Sequence, residues 1–106
     1  MRYKVVLTDA ALSDAGKYLD FLIESAHTTG PAERWWRKAI AAVQSLESMP
    51  HRCPKPPENE LREYTVRALI VAPCLFLYRV DDSRRTVEVF GFRHGRQMPS
   101  EHRLPE

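Results

Sequence analysis

The feature that most constrains this chain is the order of its periodicities. One short strand-like run comes first, then two stretches of helical period, a proline-rich break, and three further strand-like runs. Tyr3 to Leu7 is β-rich and reads as a strand. Thr8 or Asp9 follows as an N-cap. Leu12, Ala15, Leu19, Leu22, Ile23 and Ala26 then recur at helical spacing, which predicts an amphipathic helix ending near Ser25. Gly16 inside it costs about 1 kcal/mol relative to Ala. After the break at His27 to Pro31, Pro31 suits the first turn of a second helix. The expected apolar stripe of that helix is Trp36, Ala39, Ile40, Val43 and Leu46, with Trp35 on its flank. A short link between two such helices predicts an antiparallel hairpin.

Pro50, Pro54, Pro56 and Pro57 make the next segment a loop. Leu61 to Val71, Cys74 to Val80 and Thr86 to Phe92 read as strands, the last two joined by the polar turn Asp81 to Arg85. Both faces of Val87 to Phe92 carry apolar side chains, which favours a central position. The predicted architecture is α+β, in the order β-α-α-β-β-β, with a helical hairpin packed on one face of a small, mostly antiparallel sheet. No helix remains for the opposite face, so that face is expected to be partly unshielded, open to water or to a partner. With 106 residues a single domain is expected, spanning 1–99, followed by a polar C-terminal tail, 100–106. The tail should be ordered poorly or only by contact.

A hydrophobic fraction of 43% with 28% charged residues excludes a globally disordered chain. No stretch approaches the roughly 20 apolar residues of a membrane span, and the first residues lack a signal-peptide core, so a cytoplasmic location is expected. Cys53 and Cys74 read as free thiols. His51-x-Cys53 lacks the further ligands of a zinc site, and no glycine-rich loop precedes a helix, so neither a metal nor a nucleotide cofactor is expected. The net charge of +2 says little, but twelve of the sixteen basic residues are Arg, nine of them after residue 50. Arginine suits bidentate contact with phosphate or carboxylate.

The densest candidate site is Arg93-His94-Gly95-Arg96, directly after the last strand. Strand alternation sends Arg93 and His94 to opposite faces. A histidine flanked by arginines suits phosphate binding or proton transfer. Arg67 and Arg79 on neighbouring strands are candidates to join Arg93 or Arg96 in a basic patch, although for Arg79 a cross-strand ion pair is an equal expectation. Tyr78 reads as packing. His27 and His102 read as solvated side chains. Trp35 is expected to be half-buried or part of a partner surface.

These residues carry a resemblance. The opening Tyr3-Lys4-Val5-Val6-Leu7-Thr8-Asp9, the strand Phe76-Leu77-Tyr78-Arg79-Val80-Asp81-Asp82, and Val87-Glu88-Val89-Phe90-Gly91-Phe92-Arg93-His94-Gly95-Arg96 resemble the RelE/ParE toxin superfamily. The likeness is greatest to its ParE-like plasmid stabilisation branch. The resemblance implies a toxin of a type II toxin–antitoxin module, neutralised by a cognate antitoxin whose flexible C-terminal segment folds on binding. RelE-like members cut mRNA in the ribosomal A site; ParE-like members poison DNA gyrase. If the chain is a nuclease, the catalytic candidates are His94, Arg93 and Arg96. Target- or phosphate-binding candidates are Arg67, Arg79, Arg93 and Arg96, and antitoxin-binding candidates are Trp35, Leu75, Leu77 and Phe90. Leu75 stands about where RelE-like chains carry an arginine, and no lysine follows Lys55. No second proton-transfer group is evident near His94. The expectation is therefore a binding-type toxin, with gyrase as target by resemblance. The alternatives are a ribosome-dependent endonuclease and a toxin fold without toxicity.

Overall fold

The Thr8 side chain starts the first helix by accepting the Ala11 N–H at 3.2 Å, and His27, in the left-handed region at φ 56°, ends it. Pro31 sits in the first turn of the second helix, where its missing N–H costs nothing. The computed structural model describes residues 2–106; Met1, the first residue of the expected domain, lies outside them. Its elements are β1 (Lys4–Leu7), α1 (Asp9–Ala26), α2 (Gly30–Gln44), β2 (Arg67–Val71), β3 (Cys74–Asp81) and β4 (Thr86–His94). Single helical turns occupy Ser45–Glu47, Pro50–Arg52, Pro57–Leu61 and Glu101–Arg103.

The strand order is β1-β4-β3-β2, with β1 parallel to β4 and the other pairs antiparallel. The fold is α+β, and β4 lies inside the sheet as its two apolar faces predict. The strand expected over Leu61 to Val71 begins only at Arg67. The Asn59 side chain takes the Val66 N–H at 2.8 Å, which folds the preceding residues onto the sheet instead of into it.

The pairing of β3 with β4 slips once. Leu77 faces Gly91 and Tyr78 faces Val89, so Phe90 has no partner opposite it. Such a bulge inverts side-chain alternation downstream. Val87 and Val89 point to the helices, Phe90 points away, and Phe92 points to the helices again. Arg93 is thereby sent to the far face and His94 to the helix side.

The helix face holds the larger core, built on Phe76, Tyr78, Val87, Val89 and Phe92 beneath Trp35, Ala39 and Val43. Here the tryptophan assignment is corrected. Trp35 is 7% exposed and central, while Trp36 is half-buried. The buried stripe of α2 is Ala32, Trp35, Ala39 and Val43. The Trp35 indole N–H reaches the Val71 and Ala72 carbonyls, both at 3.2 Å, and this polar handle fixes the rotation of the helix.

The far face is also corrected. It is roofed over its middle by the chain itself: Val66, Ala68, Leu77, Phe90 and Leu104 form a second core, with Leu61, Tyr64 and Leu75 packed against it. The tail is ordered by contact. Arg62 Nε donates to the Pro105 carbonyl at 3.1 Å, the Tyr64 hydroxyl donates to the same oxygen, and Arg62 pairs with Glu101 at 3.7 Å. What stays open is the β2 side, where Ile70 is 64% exposed.

Candidate functional site

Strand β4 ends in the residues singled out by the sequence, and the bulge at Phe90 decides what each can do. Arg93 is 5% exposed and its partner Glu58 is fully buried. The guanidinium donates through Nε to Glu58 Oε2 at 2.5 Å and through Nη2 to Oε1 at 3.1 Å, a bidentate pair. Its Nη1 also donates to the Gln97 carbonyl at 3.1 Å and, more weakly, to those of His94 and Gly95. Arg93 therefore holds the turn that follows the strand. Its charge is spent inside the protein.

That turn is locked from other directions as well. The Gly95 N–H donates to the Pro73 carbonyl at 2.9 Å, and a Cβ at Gly95 would meet the same oxygen at 3.1 Å. The His94 N–H donates to Gln97 Oε1 at 2.7 Å. The Arg96 N–H donates to His94 Nδ1 at 3.1 Å. A backbone N–H can only donate, so Nδ1 must accept and the neutral ring carries its proton on Nε2. Arg96 contributes this backbone contact, while its side chain is exposed.

His94 lines a groove of about 510 Å³ between α1 and the C-terminal segment. Asp14, Lys17, Tyr18 and Phe21 form its α1 wall, and Phe92 lies with His94 at its floor. Gln97, His102 and Arg103 form the opposite wall. Tyr18 is 6.3 Å from the His94 ring between centroids and 6.1 Å from Phe21, nearly parallel to it. Burial pushes the Tyr18 hydroxyl above its ordinary range and the Cys74 thiol up to about 11, so both are neutral at physiological pH. The expectation of no second proton-transfer group beside His94 is overturned: His102, Tyr18 and Asp14 share its groove.

The other arginines do not converge on His94. Arg79 pairs with Glu88 at 2.9 Å and lies 4.6 Å over the Tyr64 ring. Arg67 donates to the Cys53 carbonyl at 2.8 Å. The two share a hollow of about 190 Å³ with His51 and Asp82. Arg79 is five residues along β3 from Cys74, the register partner of His94, or roughly 17 Å at strand rise. Asp82 accepts from Tyr3 at 2.6 Å and from His51 at 2.9 Å, bonds that hold its carboxyl below the usual range. Of the apolar candidates, Trp35, Leu77 and Phe90 are buried and Leu75 is half-buried.

Sequence reasoning missed Lys17, Tyr18, Phe21, His102 and Arg103. Lys17 and Phe21 were findable, standing four apart on the exposed side of a stretch with helical periodicity. His102 and Arg103 were not, because only the anchoring of Leu104 in the far core brings them to the groove. Among the described residues no three His, Cys, Asp or Glu side chains converge to hold a metal ion, and no helix is long and apolar enough to cross a membrane.

No curated protein matches the chain. Among solved structures it is similar to the toxin–antitoxin complex RelBE2 from Mycobacterium tuberculosis, at 23% identity over 89% of this chain and 92% of that one, with a TM-score of 0.58. That is a likeness of fold. A family model described as the ParE toxin of type II toxin–antitoxin systems matches residues 5–99, and the chain belongs to that family.

Proposed function

We propose that this toxin acts in the cytoplasm by docking on a macromolecular target, DNA gyrase, and that a cognate antitoxin holds it inactive. The gyrase assignment rests on the ParE-like resemblance and the family match. The observation that carries the non-cleaving part is the hydrogen bond from the Arg96 N–H to His94 Nδ1. With Nδ1 committed to the Arg96 N–H, the neutral ring has no basic nitrogen left to take a proton from a 2′-hydroxyl. The sheet arginines add weight: Arg93 and Arg79 are neutralised by Glu58 and Glu88, so they do not supply the convergent cations that a phosphorane needs.

For the antitoxin, the open side of β2 is the favoured surface. The Ala68 N–H points outward to the Pro54 carbonyl, and alternation gives Ile70 the same outward N–H and C=O. Exposed Ile70 and half-buried Leu75 lie opposite each other on the far face there, which suits an added strand with an apolar side chain.

The second reading is a ribosome-dependent endonuclease. It draws on His102 and Tyr18 beside His94, which would supply the missing proton transfers. Expression without antitoxin separates the readings. The proposal expects DNA breaks and filamentous cells, with toxicity retained in His94→Ala. Immediate loss of translation, abolished by His94→Ala, would establish the nuclease. Unhindered growth would make this a toxin fold without toxicity.

A further inference from the structure

We infer that the exposed face of α2 docks on duplex DNA, through the phosphates and without reading sequence. Arg34, Arg37 and Lys38, continued by Arg52, form its cationic ridge. Duplex DNA is the polyanion that the proposed target handles, so the choice of this occupant rests on the gyrase reading.

Three observations converge. First, α2 turns six side chains outward, Glu33, Arg34, Arg37, Lys38, Ala41 and Gln44, and three of them are cations. At about 100° per residue, Arg34, Arg37 and Lys38 fall within roughly 100° of one another around the axis, so they share one side. Second, none of the three makes an ion pair among the described residues, whereas Arg2, Arg62, Arg79, Arg84 and Arg93 are each matched to a carboxylate. Arg34 stands three residues from Arg37 and four from Lys38, like charges that destabilise a helix on its own. A phosphate backbone laid along them turns that repulsion into attraction. Third, the row continues past the helix end. The hydroxyl of Ser45, on the same side and roughly 16 Å along the axis from Arg34, accepts from Arg52 Nη2 at 2.6 Å. Arg52 Nη1 donates to the Ser48 and Met49 carbonyls at 2.7 and 3.2 Å. These neutral acceptors fix the guanidinium and leave its net charge in place.

The form of this face decides the class of partner. None of the four cations lines the groove beside His94. A convex row of fixed charges suits a stiff, linear anion. Duplex DNA carries one charge per about 1.7 Å of axis, so a row of roughly 16 Å runs beside about ten phosphates. An anionic bilayer would need apolar side chains to enter it. The apolar stripe of α2, Ala32, Trp35, Ala39 and Val43, is buried in the core, and Ala41 is the one apolar residue left among the outward six.

The test is fluorescence anisotropy of a labelled duplex of about 20 base pairs, titrated with the purified chain between about 50 and 200 mM salt. The logarithm of the binding constant should fall against that of salt with a slope of about 3 to 4, the worth of four phosphate contacts. Arg37→Gln with Lys38→Gln should weaken binding about tenfold and lower that slope by about 2. Both positions are exposed, so the fold is kept, and an unchanged thermal midpoint checks it. Lys4→Glu alters the net charge by the same amount from the other face of the sheet, since Tyr3 and Val5 beside it pack towards the helices. It should stay within about twofold of the parent. Absence of duplex binding would overturn the assignment, as would an equal loss in Lys4→Glu. So would tighter binding, through Arg37 and Lys38, to a polyglutamate peptide or to phosphatidylglycerol vesicles than to the duplex. With gyrase and plasmid, the double Gln variant should need about tenfold more chain than the parent to produce linear DNA. Equal potency overturns the ridge and leaves the gyrase reading standing. Duplex binding through the ridge, with no linear DNA from either form, overturns the gyrase reading and leaves the ridge.

Discussion

The two faces of the sheet are built on different principles. The helix face is sealed by two long amphipathic helices over a continuous aromatic and aliphatic core, with Phe76 fully buried at its centre. The far face has a core of five buried residues, and no helix longer than a few residues covers it. It is closed by the 57–66 segment and the tail, pinned by a buried ion pair and by hydrogen bonds from Arg62 and Tyr64 to the Pro105 carbonyl. The larger core supplies most of the packing, and the smaller one sets the position of the turn after β4. The helix face is scaffold at its centre, and the outer side of α1 forms one wall of the groove. The far face fixes Arg93, and through it the turn that presents His94 to the groove.

Substitutions in each core measure how far the two faces differ. Phe76→Ala should cost about 3–5 kcal/mol in urea unfolding, the ordinary cost of emptying a packed aromatic site. Glu58→Ala should cost nearly as much, about 3–5 kcal/mol, because it strands the Arg93 guanidinium in the interior. The double variant Glu58→Ala with Arg93→Met should recover part of that loss. If Glu58→Ala behaved like a surface substitution, the far face would have no pin and the contrast would fail. Leu104→Ala should cost less, about 2 kcal/mol, since the site lies near the chain end and can collapse. Hydrogen exchange should then quicken around Leu77 and Phe90 while the α2 amides stay protected.

The smallest effect is on pH. Burial raises the Cys74 thiol to about 11, above its value in the unfolded chain. Its neutral form is favoured by folding, so its stabilising contribution is full below the unfolded value near 9 and is lost as pH rises through about 11. Urea midpoints should fall across that window, and Cys74→Ala should flatten the fall. An unchanged slope in that variant would assign the loss to the buried tyrosines.

Most of the architecture could be read from periodicity, because helix and strand periods are local properties. The helical hairpin, the inner position of β4 and the turn at Asp81 to Arg85 all follow from patterns a few residues long. The errors share one cause. Trp35 and Trp36 are neighbours about 100° apart, and the choice between them rests on two carbonyls at the end of β2, 36 and 37 residues away. The roof over the far face depends on Leu104 crossing to Phe90, which no local pattern announces. The bulge at Phe90 is likewise silent in the sequence, yet it alone decides which of Arg93 and His94 is buried. The site was thus half legible: the importance of the segment after β4 was visible, while the opposing wall of its groove was not.

Docking without cutting, as proposed above, can be read out in the gyrase reaction itself. Purified chain is added to gyrase, plasmid DNA and ATP, and linear plasmid is quantified after denaturation of the protein. A docking toxin should accumulate linear DNA as its concentration rises, undiminished in His94→Ala. Unaltered gyrase products, in a preparation that cuts ribosome-bound mRNA, would contradict it.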